Sequence, residues 1–246
     1  MPTADVVVVG AGLAGLGAAI ALADIGARVE VVARGHAATH WTPGGFDCAA
    51  PPGALTSRAG IDRLATRVGH PYAILGEDVA PGLAFLREIL AAEGLAYRGG
   101  LDDPLRAVPT AIGATRRVGV VPLGQGPALE PWSAEERLVV CGIAGFKDFW
   151  PAAIAASLAR PAVWAGAGPD GDPDGGPARV ESVTVELPGQ AGRRNVNALE
   201  LGRAFDDPAW RRAAFQRIGR GVGAAGLRCG RGPGRVALPA ALGIAK

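Results

Sequence analysis

The 246-residue chain is poor in aromatic side chains (5%) and in charge (20%), and its only lysines are Lys147 and Lys246. Three cysteines, Cys48, Cys141 and Cys229, lie far apart and form no CxxC pair. That spacing excludes zinc ribbons and cysteine-ligated iron–sulfur clusters. An odd, sparse set also suits a reducing compartment better than a disulfide scaffold. No Lys or Arg precedes the uncharged run Val6–Ala23, which argues against a signal peptide. The formal net charge is only +2, so no nucleic-acid partner is expected.

Glycine and proline are abundant instead, at 38 and 20 residues in a chain that is 49% hydrophobic. The mean hydropathy of +0.22 provides enough apolar side chain for a core, which excludes general disorder. The glycines follow no three-residue period, which excludes collagen. Charge is unevenly distributed. Residues 1–192 carry 14 Lys+Arg against 20 Asp+Glu, whereas residues 193–246 carry 11 against 3. The basic end reads as a solvated, Arg-rich helix and tail, with a surface for an acidic partner or a membrane face as the alternative.

Val6–Ala23 is long enough to span a bilayer, but its internal order predicts something else. Val6-Val7-Val8-Val9 reads as a doubly buried strand. Gly10-Ala11-Gly12-Leu13-Ala14-Gly15 follows as a G-x-G-x-x-G turn, then a helix from Leu16 to a capping Gly26, then a second strand, Val29–Val32. This βαβ unit is the phosphate-binding fingerprint of dinucleotide and flavin proteins. Gly10 allows the tight turn, Gly12 admits a phosphate to the backbone, and Gly15 lets helix and strand pack closely. The helix N-terminus, with Leu13 and Ala14, offers N–H groups and positive dipole to that phosphate. The carboxylate that would hold an adenosine ribose is missing, since strand two ends Val32-Ala33-Arg34-Gly35. NAD is therefore disfavoured. NADP, with Arg34 on its extra phosphate, or a cofactor without adenosine fits better.

Further stretches are more particular. They are Arg34–Asp47, with His40, Thr42, Gly44 and Gly45; His70-Pro71-Tyr72-Ala73-Ile74-Leu75-Gly76; Pro109–Arg116; Val139–Phe149; and Asn197–Asp206. Together with the N-terminal turn, and in this order, they resemble the B subunits of anaerobic glycerol-3-phosphate dehydrogenases. That family lies within the FAD-binding flavoprotein class of fumarate reductase and succinate dehydrogenase. The resemblance implies an α/β fold: a Rossmann-like flavin-binding domain carrying an inserted α+β substrate or cap domain. It implies FMN as cofactor, with FAD as the alternative, and oxidation of sn-glycerol 3-phosphate to dihydroxyacetone phosphate with electrons passed to quinone. The implied partners are two other subunits of the same complex, a catalytic flavoprotein and an iron–sulfur membrane anchor, which would hold this chain at the inner face of the cell membrane. The family continues well past the point matching Pro239–Gly243, so a closing C-terminal segment is expected to be absent from these 246 residues. A truncated, non-catalytic flavin or nucleotide-binding module and an NADP-dependent reductase are the rival readings.

Residues 1–70 are expected to form the N-terminal part of the nucleotide-binding domain, and 71–246 the inserted domain. Within the latter, 165–178 is expected to be a flexible loop and 219–235 a loose Gly/Arg-rich run unlike a core helix or strand. Helices are expected over 77–93, 151–158 and 197–218, the last broken near Asp207-Pro208. A hairpin is expected over 108–121, with strands at 138–142 and 182–187. His40 is the candidate proton acceptor, Arg34, Gly35, Thr42, Gly44 and Gly45 are candidate cofactor contacts, and Arg116 and Arg117 are candidate ligands for a substrate phosphate. Asp170, Asp172, Asp174, Gly175 and Glu181 match a calcium-loop pattern. Pro177 at the eighth place and the lack of an entering helix favour a plain acidic loop, and no metal site is expected.

Overall fold

The computed structural model describes residues 4–35, 37–38, 42–47, 49, 51–133, 135–165, 176–224 and 234–238. His36, His40 and the acidic stretch Asp170–Gly175 lie outside the described residues. The chain divides into two compact units, Met1–Gly44 and Gly45–Lys246. Its class is α/β: a Rossmann-like βαβ unit together with an α+β region.

In the first unit, β1 (Val6–Val9) leads through the glycine turn into α1 (Leu13–Asp24), and β2 (Val29–Val32) returns parallel to β1, Val6 opposite Val29 and Val9 opposite Val32. The helix begins three residues earlier than the sequence pattern suggests, because Gly12 is already its extended N-cap. It ends in a Schellman motif: Gly26 N–H donates to Ala23 O and Ala27 N–H to Leu22 O, at 2.9 and 3.1 Å. Gly26 takes the positive φ, +90°, that this ending requires. At the strand entrance, Arg28 makes a two-pronged ion pair with Asp5, at 2.7 Å for the shorter prong.

The second unit opens with α2 (Ser57–Ala65), α3 (Tyr72–Leu75) and α4 (Val79–Ala92). Two antiparallel pairs follow. One joins β3 (Tyr97–Gly99) to β6 (Val120–Pro122); the other is a hairpin of β4 (Arg106–Pro109) and β5 (Thr115–Val118), with Gly113 in its turn. The rest is a parallel α/β layer. It comprises β7 (Arg137–Ile143), α5 (Pro151–Leu158), β8 (Arg179–Val185), α6 (Ala198–Asp206), α7 (Pro208–Ala224) and β9 (Gly234–Ala237). The strand order is β8-β7-β9, all parallel. Central β7 is buried from Leu138 onward, as a strand covered on both faces must be. The core joins Val139, Val140 and Cys141 to Leu158 of α5, Leu201 and Phe205 of α6, and Ala214, Ile218 and Val222 of α7.

Residues 219–224 and 234–235 therefore depart from expectation, while 225–233 lie outside the described residues. Residues 219–224 continue α7, with Val222 1% exposed, and 234–237 form a strand on β7. Glycine obscured the helical pattern, yet Gly221 is what lets α7 touch β8. A Cβ there would fall 2.3 Å from Val185 Cγ1.

Strand β9 is held by one side chain. Arg235 Nε donates to Glu136 Oε1 at 2.6 Å, and its Nη atoms donate to the Glu130 and Pro131 carbonyls at 2.9 and 2.7 Å. Its guanidinium also lies 4.0 Å from the ring centre of Trp132. The two charged side chains are only 11% and 13% exposed, so each depends on the other for its partner. Burial pushes the Glu136 carboxyl up, but hydrogen bonds from Arg235 and the Ser133 N–H outweigh burial and hold it below the usual glutamate value. Its stabilisation is thus complete above the unfolded value of about 4.3 and is lost as pH falls through the lower folded value. Glu136→Gln should destabilise the chain by about 2 kcal/mol at neutral pH. In thermal melts the gap from wild type should close progressively as pH is lowered below about 4.

Candidate functional site

The candidate site is the turn between β1 and α1. Gly10 N–H donates to Val32 O at 2.8 Å, which brings the turn and the end of β2 to the same edge of the sheet. Gly15 sits against the turn so tightly that a Cβ would lie 2.0 Å from Gly10 O. Only glycine allows the helix to start there. At Gly12 an added Cβ would meet Ala37 at 3.6 Å, so the chain after β2 passes beside the turn. Ala37 was not among the sequence candidates, and a lone small residue offers no signal by which to find it.

The first helical hydrogen bond runs from Leu16 N–H to Gly12 O at 2.9 Å, so the N–H groups of Leu13, Ala14 and Gly15 precede the helical ladder. No side chain caps them, and no acidic residue lies in the first turn. Three outward N–H groups, a positive dipole end and a side-chain-free Gly12 fit a phosphate. Arg34 and Gly35 stand exposed directly after β2, at the same edge.

The other candidates lie further along the chain. Thr42 and Gly44 close the first unit, Gly44 with φ +84°, while Gly45 begins the second. Gly45 is packed by Arg116, whose Nη2 would lie 3.0 Å from a Cβ there. Phe46 N–H donates to Val120 O at 2.9 Å, and Arg116 is ion-paired with Asp47. Arg116 and Arg117 are consecutive on β5, opposite Val108 and Ala107, so they project to opposite faces of the hairpin. They do not converge on one phosphate. Cys141 is buried in the core, and burial pushes its thiol up to about 11, so it is a packing residue. Among the described residues no three His, Cys, Asp or Glu side chains gather as a metal cluster.

The βαβ geometry and the uncapped glycine turn define a dinucleotide-binding protein with the architecture of flavin-dependent oxidoreductases. The chain belongs to the FAD binding domain family, whose model matches residues 5–201. It is similar to curated proteins named as the B subunit of anaerobic glycerol-3-phosphate dehydrogenase. It is 31% identical to the one from Mannheimia succiniciproducens, over 63% of this chain and 37% of that protein. For the one from Yersinia pestis the identity is 34%, over 63% of this chain and 38% of that protein. The chain thus spans less than two-fifths of the length of these relatives. No solved structure matches the chain significantly. No helix among the described residues is long and apolar enough to cross a membrane.

The family overturns the expectation of FMN: the flavin is FAD. The expectation came from the family resemblance, and the missing ribose carboxylate at Ala33 agreed with it. One absent acceptor removes about 1 kcal/mol net, which is too little to exclude an adenosine held by its diphosphate at a helix N-terminus.

Gly15→Ala should force α1 away from β1. Hydrogen exchange over residues 6–32 should accelerate at least about tenfold, the mark of more than 1.4 kcal/mol of local destabilisation, while β7 and α5 keep their protection.

Proposed function

We propose that the chain is the FAD-binding portion of a flavin-dependent dehydrogenase that oxidises sn-glycerol 3-phosphate to dihydroxyacetone phosphate and passes electrons to quinone. The observation that carries this reading is the Gly10–Gly15 turn, with its uncapped N–H groups and a Gly15 packed so closely that a Cβ there would lie 2.0 Å from Gly10 O. The substrate follows from the name shared by the relatives.

The flavin, when bound, supplies a two-electron acceptor that can release electrons singly. The chain's own residues orient it. The Leu13, Ala14 and Gly15 N–H groups take the diphosphate, Gly12 keeps the approach clear, and Arg34 and Gly35 line the strand edge. Thr42, Gly44 and Gly45 follow β2 and offer backbone N–H groups to the cofactor. His40 takes the proton of the substrate hydroxyl. Arg116 and Arg117 are the candidates for the substrate phosphate, which at Arg116 would have to displace the Asp47 carboxylate. In this reading the chain works in a complex with two other subunits, a catalytic flavoprotein and an iron–sulfur membrane anchor, peripheral to the inner face of the membrane. A second reading, a flavin-binding module without turnover of its own, is supported by the match to the FAD binding domain family over residues 5–201, which specifies no substrate.

Acid release of the cofactor from the purified chain, followed by mass analysis, should give FAD, and Gly12→Val should abolish its retention. NADP(H) or an empty protein would overturn the flavin reading. Anaerobic addition of glycerol 3-phosphate should bleach the flavin, either alone or with the partner subunits added. A flavin that bleaches in neither case leaves the module and removes the substrate assignment. Where turnover is seen, Arg116→Gln should raise KM for glycerol 3-phosphate about tenfold and change kcat less.

A further inference from the structure

Helix α7 carries Arg211, Arg212, Arg217 and Arg220 and no acidic residue. Arg211 is engaged, donating to Phe205 O at 2.9 Å. Among the described residues neither Arg217 nor Arg220 forms an ion pair. Arg220 gives only its Nε, to Gln216 O at 3.4 Å. Three residues apart on a helix, these two guanidiniums are neighbours that repel each other unless an anion lies between them.

Their setting is a shallow, largely open surface. Arg217 and Arg220 line an open depression of about 330 Å³ together with Val185 and Glu186, the last residue of β8 and the one after it. Gly221 creates the arrangement, since a side chain there would strike Val185 and lift α7 off the strand. The depression therefore sits at the carboxyl end of a parallel strand, the edge at which α/β sheets hold ligands. Glu186 opposes a bare anion. One of its oxygens accepts the Gly192 N–H at 3.3 Å, and the carboxylate retains acceptor capacity for a ligand hydroxyl.

We propose that this depression binds a small phosphate ester, its phosphate bridging Arg217 and Arg220 and a hydroxyl donating to Glu186. Guanidinium forks match phosphate oxygens, and the carboxylate selects an ester with a hydroxyl over inorganic phosphate. The site uses no residue of the N-terminal turn, so it does not rest on the flavin reading.

Titration calorimetry on the full chain tests it, with inorganic phosphate and glycerol 2-phosphate as probes. Wild type should bind both, the ester more tightly. R217Q/R220Q should weaken both by about tenfold or more, R217K/R220K should lose less because the charge remains without the fork, and Glu186→Gln should erase the preference for the ester. Both arginines are exposed, so these variants should melt with wild type. Absence of binding by wild type, or unchanged binding by R217Q/R220Q, overturns the proposal. Binding that survives in R217Q/R220Q and disappears in Gly15→Ala puts the anion at the β1–α1 turn instead. That outcome refutes this site and leaves the FAD reading intact. A chain that releases no FAD but still loses phosphate binding in R217Q/R220Q supports this site and refutes the FAD reading.

Discussion

The nucleotide-binding turn depends on one distance, the approach of α1 to the carbonyl of Gly10. Because position 15 has no Cβ, the helix can start directly over the end of β1. Its leading N–H groups are then set at the edge where β1 and β2 both end. A helix begun one turn later would still bury Ala19 against the sheet, but its dipole would point past the strand ends. The chemistry of the turn is thus almost wholly backbone chemistry, and side chains contribute by being absent. This also explains why the site contains so few titratable groups. A phosphate here is held by partial charges fixed in the peptide frame, which neither titrate nor change rotamer.

The second unit is organised on the opposite principle. Its parallel sheet is joined by apolar contact along β7, but β9 is fastened by a charged side chain threaded between a carboxylate, two carbonyls and an indole ring. Trp132 in turn meets Trp164 edge-on at 5.5 Å, tying this clamp to the core beneath α5. Polar geometry thus fixes the position of β9, while hydrophobic burial supplies most of the layer's stability.

The parts legible in the sequence were those in which neighbouring residues carry the whole signal. The strand–turn–helix of residues 6–24, the Pro151 start of α5, the hairpin around Gly113 and the break at Asp207 all depend on short-range sterics and hydrogen bonds. The final turns of α7 and strand β9 were not legible. Three glycines dilute the helical pattern of residues 219–224, and β9 acquires its meaning only from β7, residue 234 pairing with residue 137. Of the candidate site, the glycine turn was legible because each glycine answers to a nearby steric demand. The pairing of Arg116 with Asp47, and the opposed directions of Arg116 and Arg117, needed the hairpin register. FMN came with the family resemblance, and the missing acceptor at Ala33 that agreed with it contributes too little to decide the cofactor.

The pairing of residue 137 with residue 234 has a further consequence, which concerns the order of assembly. During synthesis β7 and β8 can pair early, but the other edge of β7 must wait for nearly a hundred further residues. Until then the most apolar strand of the layer presents a bare row of N–H and C=O groups, the kind of edge that recruits strands from neighbouring chains. Closing so long a loop is slow, and only then can Arg235 reach Glu136. The exposed edge of β7 is thus most vulnerable to aggregation after α5, α6 and α7 have formed and before β9 arrives. When β9 arrives, the guanidinium of Arg235, received by Glu136 and two carbonyls, marks it as the matching strand.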